Sequence, residues 1–181
     1  MIRRNFGYIK WLVTVEGHAK SILVHIMNDL IRIATISDSE LLLAWRNNPN
    51  VRQFSKSPGL INEVEHIRWL EKRLAKMQSE PLFVFISDGK STGTARLDEC
   101  SEIENSLEVS ILIDPEFQGL GKSKILLDLV FSYAAENLGS CKILAQIHNH
   151  NLKSINLFES VGFSYLSKNG NFLRYQRDLT G

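Results

Sequence analysis

The chain has 181 residues, enough for one domain with a sizeable core, and its 44% hydrophobic and 23% charged residues are ordinary for a globular protein. A net charge of +1 supplies no bulk field for holding nucleic acid or an anionic membrane, and Cys100 and Cys141 form neither a CxxC pair nor any metal-ligand spacing, as expected of a reducing compartment. No run approaches the ~20 apolar residues of a bilayer-spanning helix, so a cytoplasmic location is expected.

Residues 1–28 read as an N-terminal extension to a domain over 29–181. Within the extension, Tyr8, Lys10 and Glu16 interrupt the apolar run that a signal peptide needs. Ile9 to Val15 has the pattern of a strand, and Ile22, Leu23 and Ile26 lie on one side of a short helix over Ala19 to Met27. Leu30 to Ile36 is the first strand of the domain. Ser37 or Asp38 then caps a helix that carries Leu41, Leu42 and Trp45 on one side and stops at Pro49. A second helix is expected over Glu63 to Met77, with Val64, Ile67, Trp69, Leu70 and Leu74 as its core stripe. Leu82 to Ile86 and Gly93 to Leu97 read as an antiparallel hairpin turned at Asp88-Gly89.

Leu107, Val109, Ile111 and Ile113 alternate with Glu108, Ser110 and Leu112 before Asp114-Pro115 ends the pattern, which marks a buried strand. Ile125, Leu126, Leu129, Val130, Tyr133 and Ala134 recur three or four residues apart on a helix that ends near Gly139. A strand over Lys142 to His148, a helix over Leu152 to Ser160, and two strands near Ser164 and over Phe172 to Arg177, separated by Asn169-Gly170, complete the chain. This order defines an α/β single domain with a mixed sheet and helices on both faces.

Between the buried strand and its helix lies Gln118-Gly119-Leu120-Gly121-Lys122-Ser123. Such a loop presents unpaired N–H groups and the positive end of a helix dipole, which suits an anion and above all a phosphate; Lys122 can add charge. A strand-to-helix turn that uses glycine for geometry alone has the same pattern. A Walker loop would need glycine where Glu116 stands, which argues against an NTPase.

The strand, this loop and helix, and the later Asn151-x-x-Ser154-Ile155-x-x-Phe158-x-x-x-Gly162-Phe163 together closely resemble the GNAT acetyltransferase superfamily over roughly Asp29 to Asp178. The resemblance implies a mostly antiparallel central sheet whose middle strands splay, and acetyl-CoA as co-substrate. Gln118, Gly119, Leu120, Gly121, Lys122 and Ser123 would cradle its pyrophosphate. Ile111, Leu112 and Ile113 would meet the pantetheine arm, and Asn151, Ser154 and Phe158 would line the same channel. Asn151 as a plain helix cap and Ser154 as a solvent-facing residue are the alternatives. Ser123 departs from the Gly or Ala usual at its place but is also small.

Acetyl transfer to an amine needs a base, an oxyanion donor and an acid for the leaving thiolate, and no metal or covalent nucleophile. Glu108 is the candidate base, with an exposed edge carboxylate as the alternative; Ser110 can join a water chain to it, and the N–H of Leu112 or its neighbour is the oxyanion donor. Relatives often place an acidic tyrosine seven residues after the asparagine. Here that residue is Phe158, which leaves the acid unassigned.

Trp45-Arg46-Asn47, Arg52, Ser55, His66-x-x-Trp69 and Gly93-x-x-Arg96-x-Asp98 resemble the branch that includes UDP-amino-sugar N-acetyltransferases, and the W-R-N opening is shared with ribosomal-protein N-terminal acetyltransferases. Arg46, His66 and Arg96 are the acceptor-side candidates this implies, with a packed structural role the alternative for His66. Trp45 and Trp69 read as core. His148 and His150 lack further ligands for a metal and read as site-edge or loop residues. The expected activity is N-acetylation of a small-molecule primary amine, preferably on a sugar nucleotide. A protein N-terminus is the alternative acceptor, and a non-catalytic acyl-CoA sensor the alternative class. Neither nucleic acid nor membrane is an expected partner, and the family suggests a homodimer through the final strands. The stretch Val13 to Ile26 weakly resembles the tail of a UDP-releasing glycosyl hydrolase found fused to such domains; a packing extension or dimer arm is the alternative.

Overall fold

The computed structural model describes residues 29–139 and 142–179. The strand, helix and fusion-remnant readings for residues 1–28, and everything concerning Cys141, lie outside the described residues.

Among the described residues seven strands form one sheet: β1 (Leu30–Ile33), β2 (Leu82–Ser87), β3 (Lys90–Glu99), β4 (Ser106–Ile113), β5 (Lys142–His148), β6 (Ser164–Asn169) and β7 (Phe172–Asp178). Their order across the sheet is β1-β2-β3-β4-β5-β7-β6, and every neighbouring pair is antiparallel except β4 and β5, which are parallel. The helices are α1 (Ser39–Asn47), α2 (Pro49–Arg52), α3 (Glu63–Leu74), α4 (Lys122–Asn137) and α5 (Leu152–Ser160). The α/β architecture with helices on both faces is therefore observed.

Strand alternation divides the apolar residues between two cores. Phe83, Phe85, Ala95, Leu97, Val109 and Ile143 point to the face covered by α4 and α5, where Leu126, Leu127, Val130 and Phe158 meet them. Leu82 and Val84 point the other way, against Leu42 and Trp45 of α1 and Leu70 of α3. Full burial of each large apolar side chain contributes about 1.5–3 kcal/mol, so the two cores fix which residues of β3, β4 and β5 remain to face the α1–α3 side.

Two local features set the register near the site. Asp88 and Gly89 both have positive φ, 49° and 77°, as the tight β2–β3 turn requires. Gly93 lies opposite Ile113, where any Cβ would come within 2.5 Å of the Leu112 carbonyl oxygen, so only glycine lets β3 approach β4 this closely.

Several boundaries differ from expectation. β1 ends at Ile33, because Asp38 accepts the Thr35 N–H at 2.8 Å and pairs with Arg32 at 2.6 Å, which turns Ile36–Asp38 into a 3-10 turn. The Arg32 guanidinium holds the Asp38 carboxyl below its usual range. Asp38 therefore does not cap α1 with its side chain. α3 ends at Leu74, and its buried stripe is His66, Leu70 and Arg73, whereas Val64 is exposed and Trp69 is 39% exposed. Arg73 is buried because Asp98 and the Leu97 carbonyl take its donors. The β6–β7 turn is Gly170-Asn171, one residue beyond the expected pair.

Candidate active site

β4 and β5 pair only at Ser106↔Lys142, Leu107↔Ile143 and Glu108↔Leu144. Beyond that point β4 stays bonded to β3 as far as Ile113↔Gly93, and β5 to β7 as far as His148↔Phe172. The two central strands thus part at Glu108, and the facing edges from Val109 and from Ala145 onward do not pair with each other. A gap with free backbone groups on both sides is the strand geometry that an extended amide chain can enter. Ile111, Leu112 and Ile113 all lie along it.

At the open end Gly119 and Gly121 adopt φ of 80° and 74°, and Gly121 is the N-cap of α4. Among the described residues, no N–H from Gly119 to Ser123 donates to a backbone carbonyl outside the helix. Gln118 ties the loop to β4 by donating from Nε2 to the Ile113 carbonyl at 3.1 Å. The loop is therefore held open at a helix N-terminus, a fit for a diphosphate. The Lys122 ammonium does not face the loop opening as the charge argument supposed. It pairs with Asp29 at 3.1 Å and lies 3.9 Å from Asp88, which pins the start of α4 to β1 and to the β2–β3 turn. Only its backbone N–H is left for the cradle.

Asn151 is the N-cap of α5 and accepts the Ser154 N–H at 3.2 Å, so its Oδ1 serves the helix. Phe158 is 4% exposed and stands edge-on to Phe163 at 4.9 Å within the core, which withdraws its ring from the channel assigned to it.

The α1–α3 face carries the polar groups. Glu108, with its side chain 18% exposed, accepts from Gln146 Nε2 at 2.8 Å and has the Lys56 Nζ 3.6 Å from Oε1. Ser110 is next on the same face, opposite Arg96 of β3. Arg96 Nε lies 3.1 Å from Asp98 Oδ2, close enough for an ion pair but misaligned for a hydrogen bond. Arg46 on α1 donates from Nη2 to the Ser57 carbonyl at 2.6 Å, while its Nη1 is buried without a partner among the described residues. Burial lowers the Arg46 pKa, and the neighbouring positive charges of Arg96 and Arg52 lower it further. The three arginines are thus electrostatic neighbours.

His66 is not with them. It is 3% exposed, inside α3 against Trp69 at 5.5 Å, and burial lowers its pKa, so it is a packed structural histidine rather than an acceptor ligand. Trp45 is core as expected, and its Nε1 donates to Asp114 Oδ2 at 2.7 Å. His148 sits at the end of β5 between Phe54 at 5.9 Å and Phe172 at 5.3 Å, with Nδ1 accepting the His150 N–H.

Sequence reasoning did not single out Lys56, Gln146 or Arg174. Arg174 on β7 pairs with Glu102, which raises its pKa, and reaches Cys100 Sγ at 3.2 Å. Together with Gln146, Phe172 and Glu102 it lines a small cavity of about 150 Å³ beside the base. Period-2 spacing does place Gln146 and Leu144 on one face of β5. The missing signal is the parallel register that brings this face beside Glu108. Among the described residues no three His, Cys, Asp or Glu side chains gather as a metal site, and no helix is long and apolar enough to cross a membrane.

A mixed sheet parted between two parallel strands, with a glycine-rich helix start at the mouth and a carboxylate at the fork, defines an acyl-CoA-dependent transferase. The chain belongs to the acetyltransferase (GNAT) domain family, whose model matches residues 30–164, and it is an acetyl-CoA-dependent N-acetyltransferase. It is 29% identical to "Acetyltransferase PseH" of Campylobacter jejuni over 74% of this chain and 81% of that protein. It is also 32% identical to spermidine N(1)-acetyltransferase of Escherichia coli, over 48% of this chain and 47% of that one. In fold it is similar to spermidine N-acetyltransferase of Vibrio cholerae, solved with CoA and spermine, at a TM-score of 0.75 and 24% identity over 84% and 96% of the two chains.

Proposed function

We propose that the acceptor is the primary amine of a nucleotide-linked amino sugar, bound on the α1–α3 face and deprotonated by Glu108. The observation that carries this reading is the grouping of Arg46, Arg52 and Arg96, with Arg46 Nη1 buried and unpartnered among the described residues. A buried guanidinium nitrogen without an acceptor costs free energy, and a diphosphate oxygen would satisfy it. The carboxylates on this face are already matched: Asp98 to Arg73 and Arg96, Glu102 to Arg174. That balance favours an anionic acceptor over a polyamine, whose positive charges would meet Arg46 and Arg52, which among the described residues bond only to backbone carbonyls and to no carboxylate.

In this reading the pyrophosphate of acetyl-CoA rests on the amides of Gly119 to Ser123, and the pantetheine arm enters between β4 and β5. The thioester supplies the acyl group. Gln146 holds the Glu108 carboxylate toward the fork, and the carboxylate takes the ammonium proton directly or through one water. A free N–H of β4 near Leu112 steadies the oxygen that gains charge. Phe158 has no proton to give, so the thiolate takes one from the attacking nitrogen or from water.

The test is thiol release from acetyl-CoA with UDP-linked 4-amino-4,6-dideoxy sugars, ribosomal N-terminal peptides and polyamines. Turnover confined to the UDP-amino sugars is the expected result. Turnover confined to polyamines or peptides would overturn the choice of acceptor, and silence with all three while acetyl-CoA binds would favour a sensor.

A further inference from the structure

We propose that Lys56 is a self-acetylation site, an inference that rests on the reading of Glu108 as the base. Lys56 belongs to the segment between α2 and α3, and that segment is fastened onto the acceptor face. Arg46 Nη2 holds the Ser57 carbonyl at 2.6 Å, Arg52 Nη1 holds the Pro58 carbonyl at 2.8 Å, and the Phe54 ring lies against His148. Fastened there, Lys56 projects its ammonium to 3.6 Å from Glu108 Oε1, although its side chain as a whole is 58% exposed.

A substrate amine that yields its proton to Glu108 must bring its nitrogen within hydrogen-bond reach of that carboxylate or within one water of it. The Lys56 nitrogen stands at ion-pair distance, 3.6 Å, a few tenths of an ångström outside hydrogen-bond reach, a gap that a small rotation of its partly exposed side chain closes. It is also a primary amine, the group this enzyme class acylates, and holding it there replaces a bimolecular encounter by a unimolecular one. Lysines elsewhere differ: Lys76 pairs with Glu80 and Lys142 with Asp178, carboxylates that do not lie at the fork.

The step balances with acetyl-CoA as the only co-reactant. Glu108 accepts one proton from the Lys56 ammonium. The freed lone pair attacks the thioester carbonyl carbon, an N–C bond forms, and the C–S bond breaks. The second nitrogen proton passes to the departing thiolate, giving the amide and free CoA thiol, and Glu108 returns its proton to solvent. Acetylation removes the charge of Lys56 and with it the ion pair to Glu108. It is fastest when no external amine competes.

The experiment incubates the full chain with acetyl-CoA alone and follows acetylation of each lysine by peptide mass mapping, at several protein concentrations, for the wild type and for Glu108→Gln. The expected result is Lys56 modified at least tenfold faster than Lys76 and Lys142, at a rate independent of protein concentration, with that excess lost in Glu108→Gln. Equal rates at the three lysines, a rate proportional to protein concentration, or an excess that survives Glu108→Gln would overturn the proposal. Thiol release with an external amine separates the two readings. If Glu108→Gln abolishes it while Lys56 stays unmodified in the wild type, the base stands and self-acetylation falls; if Glu108→Gln leaves it unchanged, the base itself is wrong.

Discussion

Gln146 Nε2 donates to Glu108 Oε2 at 2.8 Å across the point where β4 and β5 part, so a side chain two residues past the last paired rung, Glu108↔Leu144, orients the candidate base. Replacing Glu108 by Gln keeps the shape and removes the proton acceptor. The expected loss in kcat is about 10²–10⁴-fold, with acetyl-CoA affinity unchanged by calorimetry. Gln146→Leu leaves the carboxylate in place but unheld, and its effect should be a smaller fall in kcat with little change in KM. A change confined to KM would show that Gln146 serves acceptor binding instead.

The fork itself depends on Gly93. In Gly93→Ala the new Cβ would meet Leu112 O at 2.5 Å and Ile113 Cδ1 at 2.9 Å, a conflict with backbone that rotamer change cannot relieve. Overpacking of this kind costs about 1–3 kcal/mol, so a lower Tm is expected. Because β4 must shift toward the gap, acetyl-CoA affinity should fall with it. A variant with wild-type Tm and affinity would mean that β3 and β4 slide apart freely here.

The course of the chain beyond Glu108 shows what was readable beforehand. The bounds of β5 and α5 coincide with those expected from the sequence, because a dense apolar run and the Asn151 cap mark them locally. Apolar Ile36 prolongs the alternation past the end of β1, whose stop is set by Asp38 reaching back to Thr35 and Arg32. The anion loop is readable from its glycines, but the diversion of Lys122 to Asp29 joins residues 93 apart in the chain and leaves no local mark. For the same reason Lys56 and Gln146 could not be tied to Glu108. One comes from an irregular segment, and the other depends on a parallel register that alternation does not encode.

For the arginines, Arg96→Gln should raise the acceptor KM by roughly 10–100-fold with a small change in kcat, as expected when a charged contact to a diphosphate is lost. Arg46→Gln should do the same and also lower Tm, because it releases the Ser57 carbonyl that Arg46 now holds. KM for acetyl-CoA should stay unchanged in both. If the acceptor KM is indifferent to Arg96, the acceptor carries no diphosphate on this face.

His66 supplies a prediction with a defined pH sign. Burial lowers its folded-state pKa below the ordinary histidine value of about 6.5, so below that pH the unfolded chain binds the proton more readily than the folded one. Stability from this residue is therefore fully present above pH 6.5 and is lost as the pH falls from there toward the lowered folded value. Its Nε2 is buried without a partner among the described residues, and the Ser39 backbone hydrogen bond offsets the burial cost only in part. Tm measured from pH 7.5 down to 5 should decline in the wild type and decline less steeply in His66→Gln, while the acceptor KM at pH 7.5 stays within about twofold of wild type, since a residue packed inside α3 contributes no acceptor contact. Parallel Tm profiles would remove His66 as the titrating group, and a large rise in acceptor KM would restore it to the binding face.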